Sequence, residues 1–351
     1  MTTTLESPLA VLVTGGVDTH ADAHVVAAFD QFGRDLGSES FPADPEGFEQ
    51  LLGWLVSFGE IEAVGVEGTG SYGAGLNRFL HARGVTVFEI NRPDRALRRR
   101  HGKSDAADAR AAVRTVQSGQ GLSIPKTADG RVEALRVLQI PRSSAVKQRT
   151  QVINQIRAVV CTAPDELRCE LRRVSIRRLA KVVSAWAPVT NIDDPDSACR
   201  YAIIQLVARL RVLDSEIAEL NKIIERLVRA VKPELLEPVG FGPATATAIL
   251  VGVGDNPQRL ATSNGFAALC GVSPVDASSG KTQHRHRLNR GGNRSLNSAL
   301  YMIAIVRMRY HEPTKAYVAR RTTEGKSKKE IIRCLKRYIA REIFQILAAT
   351  P

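Results

Sequence analysis

Cysteine, aromatic side chains and long apolar runs are all scarce in this chain, and each scarcity removes a class of protein. The five cysteines, Cys161, Cys169, Cys199, Cys270 and Cys334, are odd in number, widely scattered and without a Cys-x-x-Cys, which argues against both a disulfide framework and a zinc site. No apolar run reaches the roughly 18 residues of a membrane span. The first residues carry Glu6 but no Lys or Arg, unlike a signal peptide. A soluble cytoplasmic protein with no membrane partner is the expectation. Aromatics make up only 5% of the chain, and no helix-turn-helix or zinc-finger signature offers a module for reading base edges.

What the chain does have is length, apolar mass and positive charge. Its 351 residues suit two or three domains, and 44% hydrophobic residues are enough to bury cores. The net charge is +13, and residues 281 to 341 alone hold 17 Lys/Arg against 3 acids. A polyanion is the natural partner for such a surface.

The pattern along the chain changes character twice. Residues 8–125 alternate strand-like and helix-like segments: short β-rich runs at 9–13, 25–29 and 38–41, a helix over 45–58, a strand at 63–66, a helix over 75–82 and a strand at 85–90. This predicts an α/β domain with a mixed sheet, in which Gly-Val-Asp-Thr-His at 16–20 reads as a turn. The Gly/Ser/Pro-containing stretch 118–125 reads as a linker. Residues 126–234 are helical, with Leu206, Leu210, Leu213, Ile217, Leu220, Ile224, Leu227 and Val231 in a heptad seam. The seam predicts a coiled coil and a dimerisation region; the spacing is equally that of a long helix packed within its own chain. Residues 235–345 form a third, helical and basic segment. There Gly240 and Gly242 open a turn of helix-hairpin-helix type, whose backbone N–H groups can approach a phosphate, although any helix-helix turn uses glycine.

The acids carry the chemistry. Asp18 follows the first strand and Glu67 ends a later one, so neighbouring strands would bring the two carboxylates to one sheet edge. Asp105 and Asp108 stand at i and i+3 on a helix starting near Ser104 and share a face. Oxygen donors from several elements suit Mg²⁺, and paired ions would clamp an in-line displacement at phosphorus. Each acid taken alone has a plainer reading: Asp105, for example, complements a helix N-terminus.

Gly16-Val17-Asp18-Thr19-His20, Val66-Glu67-Gly68-Thr69-Gly70-Ser71-Tyr72, Asn91-Arg92-Pro93 and Lys103-Ser104-Asp105-Ala106-Ala107-Asp108-Ala109-Arg110 together resemble the signature blocks of the DEDD transposases of the insertion-sequence 110 family. The resemblance runs in order over almost the whole chain. It implies a RuvC-like, ribonuclease-H-type first domain with Asp18, Glu67, Asp105 and Asp108 as the metal-binding tetrad. Further on, Gly271-Val272-Ser273-Pro274, Ala277-Ser278-Ser279-Gly280-Lys281 and Leu288-Asn289-Arg290-Gly291-Gly292-Asn293-Arg294 resemble the same family's C-terminal transposase domain. There the serine before the glycine is the nucleophile, a position that Ser279 matches and Ser278 nearly duplicates. The resemblance also implies DNA strand exchange through a 5′-phosphoserine and a structured guide RNA that pairs with donor and target DNA.

The chemistry stands beside the resemblance. A serine hydroxyl needs a metal or a base to attack phosphorus, and Lys281, Arg285, Arg287, Arg290 and Arg294 are suited to hold the phosphates. Ser279-Gly280-Lys281-Thr282 imitates the end of a P-loop, but the required earlier glycine is Val275. His284 and His286 alternate with arginines and suit phosphate contact or solvent better than zinc. Gly68 to Gly73 is a literal G-x-G-x-x-G with Glu89 on the next strand, so an NAD-dependent oxidoreductase is a remote alternative. It leaves the other acids, the serine and the basic C-terminus without a task. A RuvC-like hydrolytic nuclease or junction resolvase explains the acids but not Ser279.

Overall fold

The computed structural model describes residues 11–90, 104–276, 286–289 and 291–349, which form two compact units. The first comprises the N-terminal residues to Glu133 together with Gly252–Ala267 and the last few residues; the second comprises Ala134–Val251 and Ala268–Ile346.

The first unit is built on a mixed five-stranded sheet of order β3-β2-β1-β4-β5. Its strands are β1 (Leu12–Thr19), β2 (Ala23–Asp30), β3 (Asp35–Pro42), β4 (Glu60–Glu67) and β5 (Val87–Ile90). β1, β2 and β3 form an antiparallel meander, while β4 and β5 run parallel to β1. Helices α1 (Pro45–Val56) and α2 (Ala74–Ala82) supply the crossovers and share a core with Val13, Val17, Val64 and Val66. Asp44 caps α1 by accepting from Gly47 N at 2.8 Å, with Pro45 in the first turn.

The opposite face of the sheet is covered by α3 (Asp105–Ser118), through Ala109, Ala112, Val113 and Val116. Small residues allow the close approach. A Cβ on Gly16 would fall 2.5 Å from both Ala109 O and Val113 N, and one on Gly65 would fall 2.7 Å from a Val116 methyl. This corrects the turn expected at 16–20: the strand expected at 9–13 instead runs Leu12–Thr19, and Asp18 lies inside it. The glycines that suggested a turn are there to admit α3.

The expected linker is pinned rather than loose. Ser123 bridges Glu89, and the carbonyls of Ile124, Pro125 and Lys126 accept from Arg259, Asn256 and Asn77. Asp255 accepts from Val132 N and Glu133 N, capping the start of α4 (Arg131–Thr162).

The second unit is helical, with α4 continuing into α5 (Asp165–Leu171), α6 (Ile176–Ser184) and α7 (Pro195–Val231). Leu210 and Leu213 of the heptad seam, with Ile203 and Val207, share a core with Ala145, Val152 and Ile156 of α4. Arg149–Asp214 and Arg142–Asn221 link the same two helices in antiparallel sense. Along this stretch the seam therefore has a partner in its own chain. The remaining elements are α8 (Pro243–Val253), α9 (Ser263–Leu269), the two-stranded ribbon β6 (Pro274–Asp276) and β7 (His286–Leu288), and helices α10 (Arg294–Tyr310), α11 (Glu312–Thr323) and α12 (Lys328–Ala348). All five cysteines are free thiols, and among the described residues no helix is long and apolar enough to cross a membrane.

Candidate functional site

Strand alternation sets the positions of the acids. Along β1, Val13 and Val17 point to the α1/α2 core, so Gly16 and Asp18 face α3. Along β4, Val64 and Val66 point to that same core, so Ala63, Gly65 and Glu67 face α3. Val17 pairs with Val66 in parallel register, which sets Asp18 and Glu67 side by side at the C-terminal ends of neighbouring strands. The Thr19 hydroxyl donates to Glu67 O at 2.8 Å and ties the two strand ends together.

α3 begins over this corner. Ser104 is its N-cap, accepting from Ala107 N, and the first turn carries Asp105 and Asp108 as expected. Asp108 is buried against the sheet and Asp105 is exposed. Carboxylates are favoured at a helix N-terminus, so the dipole offsets some of the repulsion among these acids.

One residue was missed. His20 sits just beyond β1, with Nε2 at 3.3 Å from Asp18 Oδ2 and 3.5 Å from Asp105 Oδ1. The sequence signal was its place two residues after Asp18, where the chain turns back toward β2.

The electrostatics are those of crowded carboxylates. Burial pushes the Asp18 carboxyl above its ordinary value; the neighbouring Asp108 and Asp105 push it further, and His20 opposes them. One ligand atom from each of Asp18, His20 and Asp105 lies within 4.8 Å of the others. A half-buried set of oxygen donors under mutual repulsion fits a hard divalent cation, which would relieve that repulsion and needs only a few carboxylates besides water and phosphate.

The glycine-rich segment after Glu67 is a tight turn. Gly68 adopts φ +67°, its carbonyl accepts from Ser71 N and Gly73 N, and Thr69 Oγ1 donates to Glu89 at 2.9 Å. Glu89, the acid that a dinucleotide site would use on ribose, is thus engaged by the loop itself.

The second unit holds the other expected site residues. Ser278, Ser279, Lys281, Arg285 and Arg290 lie outside the described residues, while the backbone of Arg287 lies in β7. Arg294 is exposed at the start of α10. The turn at Gly240 and Gly242 serves packing. Gly240 has φ +91°, and a Cβ there would press on Ile303 O at 3.1 Å, while Gly242 N donates to Thr245 Oγ1. Beside it, the buried Arg307 guanidinium donates to Val239 O and to both carboxylate oxygens of Glu342. The backbone N–H of Gly242 is therefore spent inside the unit.

Fold and acidic corner define a RuvC-like domain joined to a helical, basic C-terminal region. The DEDD transposase profile of the IS110 type matches residues 15–163, and the profile described as "Transposase IS116/IS110/IS902 family" matches residues 233–319. The IS900 uncharacterized 42 kDa protein of Mycobacterium paratuberculosis is 24% identical over 94% of both chains. The mini-circle putative transposase for IS117 of Streptomyces coelicolor is 26% identical over 88% of this chain and 87% of its own. A protein of insertion element IS110 from the same species is 30% identical over 37% of this chain and 31% of its own. The chain belongs to the IS110/IS116/IS902 family of insertion-sequence transposases.

Proposed function

We propose that this transposase cuts and rejoins DNA through a serine nucleophile assisted by divalent metal, with Mg²⁺ held by Asp18, Glu67, Asp105 and Asp108. The meeting of Asp18 with Asp105 and Asp108 where β1 and the start of α3 come together, with Glu67 at the neighbouring strand end, is the observation that carries the reading. Bound there, the metal would supply Lewis acidity at a phosphoryl oxygen. His20, bridging Asp18 and Asp105, holds both carboxylates in place.

The nucleophile in this reading is Ser279. Its Oγ attacks phosphorus and loses its proton, an Oγ–P bond forms, and the P–O3′ bond breaks. The leaving 3′ oxygen takes up a proton, and the 5′ phosphate remains on the serine. Lys281, Arg285, Arg287, Arg290 and Arg294 offset the charge that develops on the phosphoryl group. The labour divides as the sequence suggests, with metal binding in residues 8–125, a helical region over 126–234 and the serine within 235–345. Carboxylates and serine belong to different units, so a homo-oligomer that pairs one protomer's acids with its partner's serine is part of the proposal. A structured guide RNA supplies target choice; the resemblance implies it, and the spread of cationic charge over residues 281 to 341 suits a long phosphate backbone.

Alanine substitution of the two serines tests the chemistry. Ser279→Ala should abolish the covalent protein–DNA species and recombination while DNA binding persists, and Ser278→Ala should do much less. The reverse result would move the nucleophile to Ser278, and full activity of both variants would leave a water-using nuclease. A separate mixture of Asp18→Asn and Ser279→Ala proteins should regain activity if the site is shared between protomers.

A further inference from the structure

The second unit contains a buried cation that pairs with no carboxylate among the described residues. Lys336 on α12 is 7% exposed, and its Nζ donates to Asn297 Oδ1 at 2.5 Å. Among the described residues it pairs with no carboxylate. Asn297 is oriented for this contact, because its Nδ2 donates to Cys270 O at 2.8 Å and to Gly271 O at 3.2 Å, leaving only the oxygen for the ammonium. The Cys270 thiol gives no countercharge, since burial pushes its pKa up to about 12 and keeps it neutral. Burial likewise lowers the Lys336 pKa. A buried ammonium with a neutral partner is costly unless an anion arrives.

Lys336 lines a cavity of about 560 Å³ together with Asn289, Gly292, Asn297, Tyr301 and, at the exposed start of α10, Arg294. Part of the cavity wall is close-packed backbone. Gly292 has φ +102°, and a Cβ there would fall 2.6 Å from Leu269 O and Gly271 N, while Asn293 N donates to Leu269 O at 2.7 Å. The α10 N-terminus is already satisfied, because Asn293 Oδ1 accepts from Ser295 N and Leu296 N. Among the described residues, the cations that line the pocket are Lys336 and Arg294.

We propose that this pocket binds a backbone phosphate of the DNA strand undergoing exchange, with Lys336 as the buried countercharge, Asn297 as the residue that aims it and Arg294 as the cation at the mouth. The inference deepens the transposase reading and rests on it for the identity of the ligand. DNA is favoured because Leu288 and Asn289, at the end of β7, border the pocket, and β6 and β7 bracket in sequence the segment that carries Ser278 and Ser279. A phosphate bound here would fix the strand close to where it is to be cut, through a charge-assisted contact.

Full-length protein tests this in two arms. In the first, inorganic phosphate should raise the Tm of the wild type and leave that of Lys336→Met unchanged. In the second, binding to a DNA duplex spanning one element end is followed against salt. The slope of log K against log salt should fall by about 1 in Lys336→Met, as for one lost phosphate contact. Lys336→Arg should keep most of the slope. Arg294→Gln, at an exposed position that folding does not require, should weaken binding to a smaller extent. Without ligand, Lys336→Met should melt no lower than the wild type, because an unbalanced buried charge has been removed. A lower Tm with unchanged DNA slope would make Lys336 structural and overturn the proposal, as would a loss confined to RNA. Failure of the wild type to bind the duplex while phosphate still raises its Tm would count against the transposase reading and leave the anion site standing.

Discussion

The two units handle charge in opposite ways. At the corner of the sheet, like charges are forced together: Asp18 is buried, Asp108 is buried as well, and the Asp18 carboxyl is pushed up first by burial and then by Asp108 and Asp105. In the helical unit the buried cations are held apart, and each has a different fate. Arg307 is answered by Glu342 and Val239 O, whereas Lys336 meets an amide oxygen and, among the described residues, no carboxylate. The acidic corner and the Lys336 pocket are thus the two places where we propose that a ligand of opposite sign binds. Charge that only stabilises the fold is paired in place.

The comparison breaks most visibly at the acids. Asp18→Asn and Glu67→Gln should each lower recombination by about 100-fold or more, since losing a ligand costs more than losing an orienting neighbour. Asp105→Asn and Asp108→Asn should act likewise in the same assay. Asp18→Asn should also raise Tm. The raised folded-state pKa means that the folded protein binds the proton more tightly than the unfolded chain does. Stability from this group is therefore greatest below its ordinary value of 3.8 and is lost as pH rises through the folded value. A variant that cannot ionise escapes that loss; a melting curve that moves down instead would make the Asp18 charge structural.

Arg307→Met should show the opposite behaviour. It leaves Glu342 and Val239 O without their donor, costing about 2–3 kcal/mol in denaturant unfolding. Any change in DNA affinity should follow from that instability alone. Gly16→Ala tests the joint between sheet and α3, where the new Cβ would lie 2.5 Å from Ala109 O and Val113 N. Overpacking of this kind costs about 1–3 kcal/mol, and because it displaces the helix bearing Asp105 and Asp108 it should reduce activity even in protein that remains folded.

The smallest effect concerns His24, buried and stacked on Phe48 with ring centroids 5.7 Å apart. Burial holds its pKa below the ordinary 6.5. The unfolded chain therefore takes up the proton first, and stability should fall as pH drops below 6.5 toward the lowered folded value, with a plateau above. His24→Phe should flatten that part of a Tm-against-pH curve.

Much of this was legible in the sequence because it rests on periodicity. The α1 pattern, the β4 run ending at Glu67 and the Ser104 cap with Asp105 and Asp108 one turn apart are local signals, and the structure has them where they were expected. β1 was misplaced because Gly16-Val17-Asp18-Thr19-His20 reads locally as a turn, and the packing of α3 explains Gly16 inside a strand. The packing of Gly240 was not legible for the same reason, since its neighbour Ile303 is remote in sequence. His20 and Lys336 were missed because their significance lies in what surrounds them. The two acids beside His20 come from different elements, and an amide held by two carbonyls aims at Lys336. The heptad seam was correct as a spacing, but spacing does not name a partner, and α4 occupies much of it.

The central claim is that the acidic corner and Ser279 act in one reaction although they belong to separate units. Incubation of the full-length protein, the proposed guide RNA and element-end DNA with Mg²⁺, followed by proteolysis and mass spectrometry of any nucleotide-bearing peptide, tests it directly. The account predicts a phosphodiester-linked peptide containing Ser279, absent with a chelator and absent in Asp18→Asn. Cleaved DNA with no protein attached, or a linked peptide that forms equally well in Asp18→Asn, would contradict it.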